Sequence, residues 1–402
     1  MKLREVNGRD NFERFYILLV ASIRHSSEII FPYLRRFQRF IFLPYCYLFL
    51  VNWKNCPKEK FKVAFDFLYI FFVLRTFPDF YYPYRLWEKS RNEWKYYYGS
   101  NYDCHQRSRL RKDVQKAEYE ILYEDKAVCW RLCAERKIAI PKTFGVLDPT
   151  SEKGKVLTYL SSFIVPGEKL IAKPIGGKGG HLIIVLTKND SGELQLLRPE
   201  KKILDADNIE EIFKQKYLIQ KFVNQHEDLN RISDSVNTIR FVTLLRKDNK
   251  VVPVGAYIRL GAQGAFIDNL SQGGMAVAVD LVSGKLGPVA SDRYGTEFSR
   301  HPDSEVVFGG FPVPKWEQVV EIANKVQSAL PFHKLLGMDI AITQDGPVIV
   351  EVNSIYDNVD LESVCGPLLK NRDILLAFGE YQLLFNRYQK KLYKEALRSD
   401  QK

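Results

Sequence analysis

The sequence predicts an α+β protein, with strands paired in hairpins and helices between them, preceded by a mainly helical region of different composition. Three observations carry that reading. Residues 338–353, MDIAITQDGPVIVEVN, read as two short strands joined by a tight turn at Gln344-Asp345-Gly346-Pro347. Residues 170–175 and 181–186 read as two further strands, joined by Gly176-Gly177-Lys178-Gly179-Gly180. Finally, residues 1–100 hold roughly half of all the aromatic side chains, in runs such as 40–53 and 65–77.

At 402 residues the chain has room for two or three domains, each able to bury a core. The aromatic-rich helical region is expected over 1–105, an α+β domain over 106–370, and a C-terminal helical segment over 371–402. The apolar stretch 41–51 is too short to span a bilayer, which needs about 20 apolar residues, and Pro44 interrupts it. The second aromatic run contains Asp66 and ends at Arg75. Arg35, Arg36 and Arg39 precede the first run, and Lys54, Lys58 and Lys60 follow it. Such a basic, aromatic region either lies on an anionic membrane surface or packs on itself and on the rest of the protein. Tyr81-Tyr82-Pro83-Tyr84 is a turn that closes it.

A net charge of +11 favours an anionic partner: a nucleotide, a polyanionic glycan, a nucleic acid or a membrane surface. Dispersal of the positive charge and the lack of a recognition module argue against nucleic acid. The six cysteines, Cys46, Cys56, Cys104, Cys129, Cys133 and Cys365, show no CxxC pair and no zinc-like spacing with histidine. Cys129 and Cys133, one helical turn apart, read as buried small residues. The first residues mix Lys2, Arg4, Glu5, Arg9, Asp10 and Glu13 without a secretory cleavage pattern. The expectation is a reducing, cytoplasmic location, at the inner face of the cell membrane if the N-terminal region docks there.

From about residue 103 the pattern turns to ordinary helix and then alternates. Residues 109–125 read as one charged helix with Val114, Ala117, Ile121 and Leu122 on its apolar face. Residues 127–136 form another, followed by a short strand and turn at Ile138-Ala139-Ile140-Pro141. Residues 217–223, YLIQKFV, are an apolar strand with a polar break. Residues 237–243 and 256–260 are strands carrying Arg240 and Arg259, and the second leads into the loop Asp268-Asn269-Leu270-Ser271-Gln272-Gly273-Gly274. Residues 373–398 read as one last helix. No internal repeat or low-complexity linker interrupts the chain.

The chemistry concentrates in a few of these segments. Strand alternation puts Glu351 and Asn353 on one face, and the hairpin brings Asp339 across from them. Two carboxylates and an amide oxygen suit Mg²⁺, which takes few protein ligands and completes its shell with water and phosphate oxygens. Alone, the segment is equally an edge hairpin with a solvated polar end. In the glycine join, backbone N–H groups can approach phosphate oxygens, with Lys173 and Lys178 as point charges. No GK[ST] leads into a helix, and the glycines join strand to strand, so neither a Walker loop nor a dinucleotide fingerprint is present. A plain flexible hairpin is the alternative.

In this order the segments resemble the ATP-grasp superfamily, in which two α+β subdomains clamp ATP. SVNTIRFVT, DNLSQGGMAVAVD and LLGMDIAIT…GPVIVEVN are similar to the sugar-transfer-associated ATP-grasp family, associated with polysaccharide biosynthesis, over about residues 110–370. The resemblance implies a lid subdomain at about 140–225. It implies that Lys126 and Lys173 hold the α- and β-phosphates of ATP under a mobile lid of Gly176, Gly177, Lys178, Gly179 and Gly180. Gln220, Lys221, Phe222 and Val223 would form the adenine hinge, and Asn237 would meet the ribose. Asp339, Glu351 and Asn353 would bind one or two Mg²⁺, with Mn²⁺ as a substitute. Arg259 would stabilise the transferred phosphoryl group, with Arg240 and Asn269 assisting. The chain departs from the family pattern in having Gln220 and Asn237 where acidic residues are common.

An ATP-grasp site implies activation of a carboxylate as an acylphosphate, then attack by an amine. Such a site needs positioning and fixed positive charge rather than a nucleophilic triad. That agrees with histidines, His25, His105, His181, His226, His301 and His333, that form no triad or metal spacing. The expected function is an ADP-forming carboxylate–amine ligase serving surface-polysaccharide biosynthesis or modification, with a carboxylate and an amine or amino acid as partners. The alternatives are a kinase acting on a sugar or small-molecule hydroxyl, and a non-catalytic nucleotide-binding scaffold at the membrane surface. Substrate loops are expected at 224–234, 261–267 and 291–310, with Arg293, Tyr294, Arg300 and His301 as candidates for an anionic substrate.

Overall fold

A computed structural model of the chain describes residues 34–100, 106, 109–150, 152–177, 180, 182–261, 268, 273–292 and 295–399. Among the residues singled out above, Lys2, Arg4, Glu5, Arg9, Asp10, Glu13, His25, Cys104, His105, Lys178, Gly179, His181, Asn269, Leu270, Ser271, Gln272, Arg293 and Tyr294, and residues 262–267 of an expected substrate loop, lie outside them. The chain divides into two compact units, Met1–Val114 with Asp357–Lys402, and Gln115–Tyr356.

The first unit is helical among its described residues, as the aromatic runs predict. Lys60–Leu68 is an α-helix that continues as π-helix over Tyr69–Leu74. Its residues Val63, Phe67, Ile70 and Leu74 recur at helical spacing and are buried with Phe42, Phe77, Phe80, Tyr81 and Trp94. Rings pack edge-to-face or stacked, Tyr84 on Tyr97 at 4.6 Å and Phe67 on Tyr81 at 5.2 Å, geometries favoured by the ring quadrupole. Buried Asp66 is held by Lys58, by Arg91 at 2.7 Å and by the Tyr81 hydroxyl at 2.7 Å. The expected last helix is two, Arg372–Glu380 and Arg387–Ser399. Leu383 and Leu384 are buried between them, and Asn386 accepts a hydrogen bond from the Gln389 N–H to start the second.

Two antiparallel sheets make up the second unit. The strands of the first are β1 (Thr143–Leu147), β2 (Lys169–Pro174), β3 (Ile184–Lys188), β4 (Leu194–Arg198), β5 (Lys202–Ile203) and β6 (Tyr217–Lys221). Their order is β1-β6-β2-β3-β4-β5. The strands of the second are β7 (Thr238–Leu245), β8 (Val251–Leu260), β9 (Met275–Val279), β10 (Leu286–Asp292), β11 (Glu297–Phe298), β12 (Leu335–Ile342) and β13 (Pro347–Asn353), in the order β11-β10-β9-β8-β7-β12-β13. Each sheet has its own apolar core. Lys153–Phe163 packs on the first through Val156 and Leu160. Trp316–Ala329 packs on the second through Val319, Ile322, Ala323 and Val326, a one-face spacing.

Strand β12 is buried along its whole length, and Asp339 is its single charged residue. A carboxylate there costs several kcal/mol of desolvation unless partners meet it, so its neighbours matter. Elsewhere the sequence reading needs revision. Residues 109–125 break at Gln115 and Lys116 into a π-turn at Leu110–Val114, a 3₁₀ turn at Ala117–Tyr119 and a helical turn at Ile121–Glu124. Tertiary hydrogen bonds hold the break open: Gln115 Nε2 donates to the Leu335 carbonyl, and the Lys116 carbonyl meets His333 Nε2. The strand expected at 138–141 lies later, as β1 at Thr143–Leu147, and Met275–Val279, just after the expected loop 268–274, is β9.

Candidate active site

Register places the chemistry. In the β13-β12-β7-β8 sheet, Glu351 lies opposite Asp339, Asp339 opposite Arg240, and Arg240 opposite Tyr257. Directly opposed residues share a sheet face, so acid, acid, base and phenol form one row. Asp339 Oδ1 accepts from Arg240 Nε at 2.6 Å, and Oδ2 accepts from Arg240 Nη2 at 3.2 Å and Arg259 Nη2 at 3.0 Å. Arg259 also donates to Thr238 Oγ1 at 2.6 Å, and Thr238 donates its N–H to Asp268 Oδ2 at 2.6 Å. Burial alone would raise the Asp339 pKa, but the two guanidinium groups outweigh it and hold the carboxyl below its ordinary value. For Asp268 burial prevails, and its pKa is raised despite Arg259. Gly337 makes room for the row: a Cβ there would meet Tyr356 Cβ at 3.0 Å and Arg240 Cδ at 3.5 Å.

The second group of cations comes from the other sheet and a helix N-terminus. Asp125 caps the helix Lys126–Glu135 by accepting from the Ala127 and Val128 N–H groups at 2.9 and 3.0 Å, which fixes Lys126 as its first residue. Lys126 Nζ lies 3.1 Å from Glu351 Oε1 and donates to the Gly177 carbonyl at 2.9 Å, at the mouth of the glycine join. Gly177 has φ 106°, a conformation only glycine adopts without strain. Lys173, on β2, is 93% buried, and no carboxylate lies within ion-pair distance of its ammonium among the described residues. Burial pushes its pKa down to about 8, with Lys126 pushing the same way and Glu351 and Asp339 opposing. Four cations, Lys126, Lys173, Arg240 and Arg259, thus face three carboxylates, Asp268, Asp339 and Glu351.

Lys126, Lys173 and Glu351 line a partly open pocket, whose walls include Trp130, Leu218 and Gln220. Gln220 donates through Nε2 to Thr143 Oγ1 at 2.9 Å, while its buried Oε1 has no hydrogen-bond partner among the described residues.

Residues 105–374 match the sugar-transfer associated ATP-grasp family, well over half of the chain. The chain belongs to that family. Its fold is accordingly the ATP-grasp fold, with a helical, aromatic-rich N-terminal region. Similar solved structures include an N5-carboxyaminoimidazole ribonucleotide synthetase in complex with ADP (9% identity, 59% of this chain and 46% of that one, TM-score 0.36). Others are a RimK domain ATP-grasp protein from Sphaerobacter thermophilus (14%, 64% and 70%, TM-score 0.35) and a D-alanine–D-alanine ligase from Bacillus anthracis (11%, 68% and 69%, TM-score 0.36). This chain spans under half the length of the first of these. No curated protein matches it.

Within this ATP-grasp unit, the structure brings together Lys126, Lys173, Gly177, Arg240, Arg259, Asp339 and Glu351 by direct contact or through shared electrostatics. Gly176 borders the same join and is open to solvent, and the Gly180 carbonyl accepts from Arg198 Nη2 at 3.3 Å. Of the expected hinge, only Gln220 lines the cavity. Strand alternation turns Lys221 away to pair with Glu168 at 2.6 Å, and Phe222 and Val223 follow the end of β6. Asn237 is fully buried away from it: its side chain bonds Ser235 Oγ and the Ser233 carbonyl, and its N–H donates to Gln225 Oε1. His301 is likewise buried, with Nε2 on the Gly261 carbonyl, and exposed Arg300 pairs with Glu305. Trp130 and Leu218 were missed as lining residues. Their signal is spacing: Trp130 is one helical turn from Lys126, and Leu218 two strand positions from Gln220.

Among the described residues no three carboxylate, imidazole or thiol groups converge as a metal site. The expected set is two carboxylates and an amide, and its chemistry suits magnesium in type. Asn353, opposite Gly337, has a buried amide Nδ2 without a hydrogen-bond partner among the described residues. Glu351 is about a third exposed and shares only Lys126. Asp339 is the saturated member, held by both arginines.

Proposed function

We propose that this protein is an ADP-forming carboxylate–amine ligase that works through an acylphosphate, in the biosynthesis or modification of a surface polysaccharide. The observation that carries the reading is Lys173: a buried ammonium, shifted towards neutrality and without a carboxylate at ion-pair distance among the described residues, whose charge gives the cluster one more cation than carboxylates. An uncompensated buried charge is costly, and a polyphosphate supplies the missing anion. Membership of the ATP-grasp family makes ATP the expected polyphosphate, and the glycan setting rests on the family's sugar-transfer association.

In this reading Lys126 and Lys173 hold phosphate oxygens beneath the glycine join, and Gln220 Oε1 accepts from the base. Glu351, Asn353 and Asp339 would hold Mg²⁺, or Mn²⁺ in its place, which neutralises charge on the phosphates when bound. The substrate carboxylate oxygen attacks the γ-phosphorus, and the bond from that phosphorus to the β-phosphate oxygen breaks, releasing ADP. Arg259 and Arg240 meet the charge on the transferring group. The amine nitrogen then attacks the acyl carbon, phosphate leaves, and the nitrogen gives up its proton to phosphate or water.

The test is phosphate release from Mg·ATP by the full chain, screened with pools of uronic acids and amino acids. Release that needs both an acid and an amine, with an amide as product, is expected. A phosphate ester formed on a hydroxyl would instead make the protein a kinase. Turnover unchanged in Asp339→Asn/Glu351→Gln would sink the catalytic assignment.

A further inference from the structure

We propose that an exposed row of phenylalanines in the N-terminal unit docks this protein onto an anionic lipid bilayer. The helical run Lys60–Leu68 and Tyr69–Leu74 is apolar on two faces. Val63, Phe67, Ile70 and Leu74 face the aromatic core and are buried. Phe61, Phe65, Leu68 and Phe72 recur at the same spacing of four, three and four on the other side. They are 59%, 63%, 43% and 58% exposed. Phe40, 51% exposed, extends the row, its ring 6.2 Å from that of Phe72. At a rise of 1.5 Å per residue the row is about 16 Å long. An ordinary surface helix carries polar residues at those positions, and scattered single exposures would need no explanation, whereas a contiguous patch does.

The surrounding charge selects the occupant. Lys60 and Lys62 flank Phe61, exposed Lys54 precedes it, and Arg75 follows the far end of the row. Asp66, one of two carboxylates in residues 54–75, is buried and compensated by Lys58 and Arg91; the other, Glu59, pairs with Lys62 at 3.0 Å. Exposed phenylalanines without polar groups, rimmed by lysine, suit insertion at the boundary of headgroup and acyl chain, with the lysines at anionic headgroups. A protein groove would more commonly select anchors with a hydrogen-bonding handle, such as Tyr, Trp or Arg. The inference is independent of the ligase reading.

The experiment is co-sedimentation of the full chain with vesicles of phosphatidylcholine alone and of phosphatidylcholine with about a third phosphatidylglycerol. Binding to the anionic vesicles that weakens with salt is expected. Phe61→Ser/Phe65→Ser/Phe72→Ser should reduce it at least tenfold with an unchanged melting temperature, because these side chains are outside the core. Lys60→Glu/Lys62→Glu should remove the preference for phosphatidylglycerol. A Phe65→Trp variant provides a second readout, with blue-shifted emission and quenching by brominated lipid expected on the anionic vesicles. No binding by the wild type, equal binding by the serine variant, or unshifted Trp emission would overturn the proposal. So would a concentration-dependent dimer, abolished by the serine variant, in a protein that ignores vesicles; the row would then belong to a second copy.

Discussion

Asp339 in the ATP-grasp unit and Glu362 in the helical unit are both buried carboxylates, and the two regions treat them in opposite ways. Asp339 is met by two guanidinium groups and its pKa falls. Glu362 is met by dipoles alone: the N–H groups of Tyr98, Gly99 and Leu368, the Tyr84 hydroxyl and Asn358 Nδ2. Burial outweighs these five donors and pushes Glu362 up to about 7. Every lone pair of Glu362 is used, and the group ties residues 84, 98–99 and 358–368 together as architecture. The Asp339 region instead contains Lys173, a buried charge with no carboxylate at ion-pair distance among the described residues. Glu362, met only by fixed donors of its own unit, builds structure, whereas Lys173, left without a carboxylate at ion-pair distance, points to an anionic ligand.

The sharpest way to break this contrast is Lys173→Met. Nucleotide-dependent phosphate release should fall by at least ~100-fold, the scale of losing one fixed donor to a transition state. The melting temperature should hold or rise, since the change removes a buried unpaired charge. A matching loss of stability would make Lys173 structural. The converse variant is Glu362→Ala, which strands five donors and should cost about 2–3 kcal/mol in denaturant unfolding. Activity below the unfolding transition should survive it.

The pH dependence sharpens the comparison with a smaller effect. The folded pKa of Glu362, about 7, lies above its ordinary 4.5. Its contribution to stability is therefore fully present below about pH 4.5 and lost as pH rises through 7. Unfolding measured from pH 4 to 8 should show that decline, and Glu362→Gln should flatten it. Lys173 behaves otherwise: its folded pKa of about 8 lies below 10.5, so the cost of burying its charge is relieved as pH rises between them. Nucleotide affinity should fall over that same interval as the ammonium is lost, and Lys173→Met should not show the step. The smallest effect belongs to Asn353→Ala. Its amide Nδ2 has no hydrogen-bond partner among the described residues, so stability should change by less than ~0.5 kcal/mol. The magnesium concentration for half-maximal phosphate release should nevertheless rise several-fold.

Local rules made much of this legible. The tight turn and alternation in residues 338–353 set Glu351 opposite Asp339, as the observed register has it. The glycine join does connect two antiparallel strands, β2 and β3. The helix expected at 127–136 is present as Lys126–Glu135. Residues 109–125 escaped because helical periodicity says nothing of Leu335 and His333, whose bonds hold the break. Asn237 looked like a ligand contact because a polar residue beside a strand reads the same whether it faces a cavity or four protein partners.

The sequence by itself determined the α+β class, the hairpin at 338–353, the strands around the glycine join and the identity of the charged residues, because strand period and turn chemistry act over a few residues, while the family followed from the resemblance of a few motifs. Tertiary structure decided which of those charges are matched. That Asp339 is saturated by two arginines, that Lys173 is buried without a carboxylate at ion-pair distance among the described residues, and that a phenylalanine row remains outside the aromatic core depend on desolvation and distance. Both are set by segments far apart in the chain, so neither can be read from local pattern.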